Sequence, residues 1–225
     1  MKRISSCALA IAVSLCSSLA AAQSKNDFSA GTFSVGVERL SGFVHSHHST
    51  DGVTAGGFTT AGTSSSADTI SLLGQDATGP YDLPRIGVDY FFWDNVSLGG
   101  SLVLIHTDVS GAAAGVTTTG SGTAFAFMPR VGYAMMFNEV VGFWPRGGLS
   151  YFLDSFDNGS IHYFSFDVDV PFIFELTPTL AITAGPTFDV SFEGKVSNDN
   201  PGGGSTSRGT SYWAFGIQGG LALFF

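Results

Sequence analysis

From Phe28 onward the apolar positions of the chain recur every second residue rather than every third or fourth. In YFSFDVDVPFIFEL, Phe164, Phe166, Val168, Val170, Phe172 and Phe174 share one face; Ser165, Asp167, Asp169, Pro171, Ile173 and Glu175 share the other. The stretch LAITAGPTFDVSFEG repeats this, with Leu180, Ile182, Ala184, Pro186, Phe188, Val190 and Phe192 in one phase. Successive side chains of a strand point to opposite faces, so a period of two predicts strands. These runs last roughly 11–13 residues, whereas a strand of a water-soluble domain usually runs about 5–6. A strand that crosses hydrocarbon at a tilt needs about 9–11 residues.

Eight such segments can be read, at about 32–45, 84–92, 96–107, 123–136, 141–153, 162–176, 180–193 and 212–225. Their connections alternate in length. Trp93-Asp94-Asn95, Phe137-Asn138-Glu139-Val140 and Thr177-Pro178-Thr179 are tight turns. Between them lie a Ser/Thr/Gly-rich stretch from about 46 to 83, DVSGAAAGVTTTGSG, DSFDNGSI and KVSNDNPGGGSTSRGTS, all expected as longer loops. Short turns on one side and long loops on the other mark a transmembrane barrel. In hydrocarbon every backbone N–H and C=O needs a partner, so a sheet survives there only if it closes on itself. The expected fold class is therefore all-β: an eight-stranded antiparallel up-and-down transmembrane barrel with short periplasmic turns. A ten-stranded barrel stays open if GGFTTAGTSSSADTISLLG adds a hairpin.

The polar phase of the strands is rich in small residues, which suits the inside of a narrow barrel and turns the Phe/Val/Leu phase to lipid. That phase carries Glu38, Arg85, Asp89, Arg130, Arg146, Asp167, Asp169, Asp189 and Glu193, and also Glu175, toward the lumen. Turn centres near 138, 157–158 and 178 place Arg130 opposite Arg146, Arg146 opposite Asp169, and Asp167 opposite Asp189. Like charges directly opposite are unfavourable, so alternating arginine and carboxylate predicts an interior ion network that plugs the barrel. Pro129, Pro145, Pro171 and Pro186 fall inside strands, where proline removes a ladder bond. The Pro-Arg pairs at 84–85, 129–130 and 145–146 could mark bulges that aim the arginine inward.

Composition adds to this picture. The chain has 30 Gly and 21 Phe with only 12% charged residues, against about 25% in soluble domains. Residues 1–22 have a basic start (Lys2, Arg3), an apolar stretch from Ala8 to Leu15 and a small-residue exit, the pattern of a cleaved secretory signal peptide. A short segment, 23–30, then leads into the barrel, 31–225. Both cysteines, Cys7 and Cys16, fall in the signal, leaving no thiol chemistry in the mature chain. Cleavage takes the formal net charge from −9 to about −11, a poor balance for binding nucleic acid. No run of about 20 apolar residues follows the signal, so no helix is expected to span a membrane.

With its signal peptide, eight alternating strands, alternating connections and final strand ending in Phe, the chain resembles small Gram-negative outer-membrane barrels of the OmpA/OmpX type. The resemblance implies outer-membrane localisation, periplasmic chaperones, and insertion by the barrel assembly machinery. That machinery reads a terminal strand, here matched by Phe215, Ile217, Leu221, Leu223 and Phe225. The expectation is a monomer among outer-membrane lipids, without catalytic residues, metal or other cofactor, acting in envelope integrity or surface contact through its outer loops. A small-solute pore and a lipid A-modifying enzyme are the alternatives. His47-His48-Ser49-Thr50 loosely resembles the His-x-Ser-Asn motif of lipid A hydrolases, with Thr50 in place of Asn. His45, His47 and His48 are residues of a type that binds Zn²⁺ or Cu²⁺, but only Asp51 lies near enough in sequence to add a ligand, so they otherwise read as a solvated loop. Aromatic residues near strand ends, among them Trp144, Phe152, Tyr163 and Tyr212, are expected to form two membrane girdles.

Overall fold

The computed structural model describes residues 28–55, 58–72, 83–113, 116–199 and 205–225. The expected signal peptide, residues 1–22, lies outside them. In chain order the strands are β1 (Phe33–Thr50), β2 (Val53–Ala55), β3 (Phe58–Thr60), β4 (Thr63–Leu72), β5 (Arg85–Trp93), β6 (Val96–Ala113) and β7 (Val116–Tyr133). They continue with β8 (Met135–Met136), β9 (Val141–Phe143), β10 (Arg146–Phe156), β11 (Gly159–Asp169), β12 (Phe172–Thr177), β13 (Leu180–Asp199) and β14 (Ser205–Phe224).

These strands make an eight-stave antiparallel barrel. Four staves are broken in two: β4 with β5, β7 with β8, β9 with β10, and β11 with β12. The last strand seals against the first, from Ser34 opposite Phe224 to Thr50 opposite Thr210. Closure leaves the first and last staves without a free edge, as backbone groups in lipid require. The β2–β3 hairpin forms a separate two-stranded sheet outside the wall, so it does not make a ten-stranded barrel.

Polar side chains shape the turns at the end that holds the termini. Asn95 adopts a left-handed φ of 66° in the Asp94-Asn95 turn, a conformation that asparagine tolerates better than most residues. Asn138 Oδ1 accepts the amides of Val140 and Val141, and Thr177 Oγ1 accepts those of Thr179 and Leu180.

At the distal end the strands run further than alternation indicates. β10 and β11 meet at a turn of only residues 157–158, and β13 and β14 run to Asp199 and from Ser205. The stretches read as loops are Ser/Thr/Gly-rich, so they lack hydrophobic periodicity yet still pair. Ser121 donates its hydroxyl and amide to Asp157 (2.7 and 3.0 Å), holding that exposed carboxyl below its usual range.

The prolines do not mark bulges. Register is continuous through Pro129-Arg130 on the β6 side and through Arg146 on the β11 side. Pro145 and Pro171 instead interrupt staves, and their carbonyls still accept from Tyr133 and Trp144. The two bulges that matter are elsewhere. One lies between Val37 and Ser41 of β1, the other near Phe192 of β13.

The outside of the wall is apolar: Ile86, Leu98, Phe127, Val131, Phe166 and Ile217 are each between 47% and 63% exposed. The inside holds the buried charges. A protein dissolved in water is arranged the other way round, and a continuous apolar exterior of this kind marks contact with lipid.

Candidate functional site

The lumen is filled in three layers. At the terminal end Phe28, Phe91, Trp144, Ile173 and Phe224 are buried together. Phe28, in the segment before β1, packs on Phe91 (5.2 Å), Phe224 (5.6 Å) and Trp144 (6.4 Å between ring centroids). At the distal end Val44, Val103, Met128, Phe152, Tyr163 and Tyr212 form a second apolar layer. Trp144, Phe152, Tyr163 and Tyr212 therefore belong to the interior rather than to membrane girdles. Their strand-end positions matched the girdle pattern, but their phase along each strand points inward.

Between these layers lies the charged one, in which four arginines meet five carboxylates. Glu38 is its hub: it accepts from Arg130 (2.6 and 2.7 Å), Arg146 (2.6 Å) and Arg85 Nε (3.1 Å). Arg130 also clasps Asp89 through both its Nε and a terminal nitrogen (3.0 and 2.5 Å). Arg85 reaches Asp167 at 2.6 Å and Asp169 as well. Arg39 donates to Asp189 (2.7 and 3.0 Å), Asp169 (2.9 Å) and Asp167 (3.3 Å). Arg146 lies over the Trp144 ring at 4.6 Å, linking the charged layer to the aromatic one. All nine side chains are at least nine-tenths shielded from solvent.

The hairpin registers put Arg146 opposite Asp169 and Asp167 opposite Asp189. Arg130 lies opposite Gly148 and Arg146 opposite Gly132, so the two arginines are diagonal neighbours rather than a facing pair. The short β8 and β9 strands and the break at Trp144-Pro145 move that register away from the one a simple turn centre gives. Glu193 is not in the layer. The bulge at Phe192 puts Glu193 opposite the outward-facing Phe164, and its side chain is exposed. Glu175 is only half-buried, near the terminal rim.

Arg39 was not among the residues that alternation assigns to the lumen. Strict alternation after the inward Glu38 would aim it at lipid, where an arginine costs about 2–4 kcal/mol at mid-bilayer. That cost is the signal that a bulge had to occur there. The register of β1 on β14 shifts by two residues between Val37 and Ser41, and Arg39 takes a left-handed φ of 53°. Both neighbours, Glu38 and Arg39, thereby enter the lumen.

Space for these side chains comes from missing ones. A Cβ built on Gly87 would lie 2.5 Å from Glu38 Oε1 and 2.8 Å from Arg130 Nη2. A Cβ on Gly147 would meet nothing closer than 3.7 Å. Gly87→Ala is therefore expected to destabilise the folded barrel by about 1–3 kcal/mol, the usual cost of overpacking. Gly147→Ala should leave its thermal unfolding in detergent nearly unchanged. Equal unfolding temperatures for the two variants would contradict the packing described.

The histidines of HSHHS lie on β1, not in a solvated loop, because β4 pairs with β1 from Ser41 to Thr50 and holds that segment extended. His47 Nδ1 bonds Ser66 Oγ at 2.8 Å, while Ser49 Oγ bonds Ser211 Oγ at 2.8 Å. His47 and Ser49 are thus engaged by different neighbours.

No family model and no curated protein match the chain. Among solved structures it is similar to the outer membrane protein OprG of Pseudomonas aeruginosa, at 13% identity and a TM-score of 0.48, over 90% of this chain and 99% of that one. It is similar also to the outer membrane protease OmpT of Escherichia coli (11%, TM-score 0.45, 91% and 99%). A third is the Neisserial surface protein NspA (13%, TM-score 0.39, 86% and 98%). The chain shares with them an all-β fold, here a closed eight-stave antiparallel barrel.

Proposed function

We propose that this protein is an integral outer-membrane barrel whose lumen is closed, and that it works as a membrane-embedded scaffold presenting its distal rim to the cell exterior. One observation carries the reading: apolar layers cap, on both sides, a charged layer whose arginines and carboxylates pair with one another, while the belt outside is apolar. A water-filled pore needs a polar, solvated lumen. Here the nine charged groups of the middle layer are spent on one another. Distal strand extensions rich in serine and threonine then rise beyond the apolar belt, where they meet water or partners.

Conductance distinguishes a scaffold from a pore. The purified barrel in a planar lipid bilayer is expected to raise the seal's resistance to leak no differently from an empty membrane, with no discrete open events. Reproducible unitary steps in the wild-type protein would overturn the closed-lumen reading.

A further inference from the structure

We infer that His45 and His47 form an open two-nitrogen chelate for a transition-metal dication of the Cu²⁺ or Zn²⁺ class, at the upper boundary of the apolar belt. The two residues are separated by one position on β1, so both side chains leave the same, outward face of the wall. His48 points the other way, and its Nε2 bonds Thr210 Oγ1 at 2.8 Å.

Each outward ring is held from both sides. On the β4 side, Asp68 Oδ1 lies 2.6 Å from His45 Nδ1, and Ser66 Oγ lies 2.8 Å from His47 Nδ1. On the β14 side, Trp213 packs on both rings, at 5.4 Å from His45 and 5.7 Å from His47, and Phe215 packs on His45 at 5.6 Å. A carboxylate on one imidazole nitrogen sets the tautomer and leaves the other nitrogen as a basic metal ligand. With both Nδ1 atoms engaged within the protein, the nitrogens left to bind a metal are the two Nε2. Rings already immobilised lose little further freedom on binding.

The rows on either side place this pair at the boundary. Toward the terminal end is the apolar row of Phe43 with Ile70 and Ile217. Toward the distal rim is the hydroxyl row of Ser49 with Ser64 and Ser211. A hydrated cation can therefore reach the pair from the aqueous side. Among the described residues no three His, Cys, Asp or Glu converge on one point, so two imidazoles hold the ion and water completes its shell. Imidazole nitrogen in an open, tetragonal arrangement favours Cu²⁺, which also tops the affinity order of the divalent first-row metals.

Trp213 makes the site directly observable, because bound Cu²⁺ beside its ring quenches its fluorescence. Titrating the detergent-folded protein with Cu²⁺ is expected to give saturable quenching at one equivalent, with an electron paramagnetic resonance spectrum showing two coupled nitrogens. His45→Ala and His47→Ala should each abolish the saturable phase, and His48→Ala should leave it intact. Asp68→Asn should weaken binding by about 10–100-fold. Trp213→Phe should remove the quenching while preserving the resonance signal. Heat-modifiable mobility on gels verifies that each variant is folded, with His47→Gln as the milder substitute. Absence of saturable uptake by the wild type would overturn the site, as would unchanged uptake in the folded His45 and His47 variants.

Discussion

Replacing Glu38 with alanine is expected to lower the unfolding temperature of the detergent-folded barrel more than any other single change in the lumen. Glu38 accepts from three arginines at once. Without it Arg130 keeps Asp89, and Arg85 keeps Asp167 and Asp169. Arg146 is left with no acceptor nearer than Asp169 at 3.7 Å and Asp89 at 3.8 Å. The formal charge of the layer then balances, so the cost arises from lost geometry rather than from excess charge. Breaking a desolvated ion pair typically costs about 3–5 kcal/mol, which for a chain of this size corresponds to a fall on the order of 10 °C. Arg146→Ala should produce a smaller drop, because its only short ion pair is the one to Glu38. A double-mutant cycle between Glu38→Gln and Arg130→Met should return a coupling well above zero. An unfolding temperature unmoved by Glu38→Ala would show that the layer is not what holds the staves together.

Ile217→Arg is expected to fail at insertion. Ile217 is 63% exposed on the outward face of β14, near the middle of its apolar run from Trp213 to Leu223. On a soluble protein such a change is close to neutral, and it improves solubility. On a lipid-facing strand a cation near the bilayer midplane costs about 2–4 kcal/mol. The opposite signs make this one substitution a test of what solvates the outer surface. Folding yield into lipid vesicles, followed by urea titration, should drop for Ile217→Arg and stay unchanged for Ser207→Arg on the distal extension. If Ile217→Arg folded as well as the parent chain, the apolar belt would not be facing lipid.

Alternation alone determined a good deal about this protein: the strand class, eight of the staves, the closing role of the final strand, and which face of most strands turns inward; that no further hairpin joins the wall was decided by the structure. It could do so because side-chain direction along a strand has a strict period of two, and because lipid outside and charge inside is a partition written in every residue. The pairings of Arg146 with Asp169 and of Asp167 with Asp189 were also within reach, since the centre of a connection sets the register along both arms where no break intervenes. Tertiary structure decided the rest, wherever that period is broken or carries no contrast. The bulges that bring Arg39 in and turn Glu193 out are local insertions visible only through pairing partners. The Ser/Thr/Gly-rich distal extensions have no hydrophobic contrast, so their pairing, and with it the alignment of His45 and His47, depends on β1 being gripped by β4 and β14. Which inward aromatics stack into the terminal plug is likewise set by strand stagger around a closed wall, which brings Phe91 and Phe224 to one height, and by the segments off the strands that carry Phe28 and Trp144 to them.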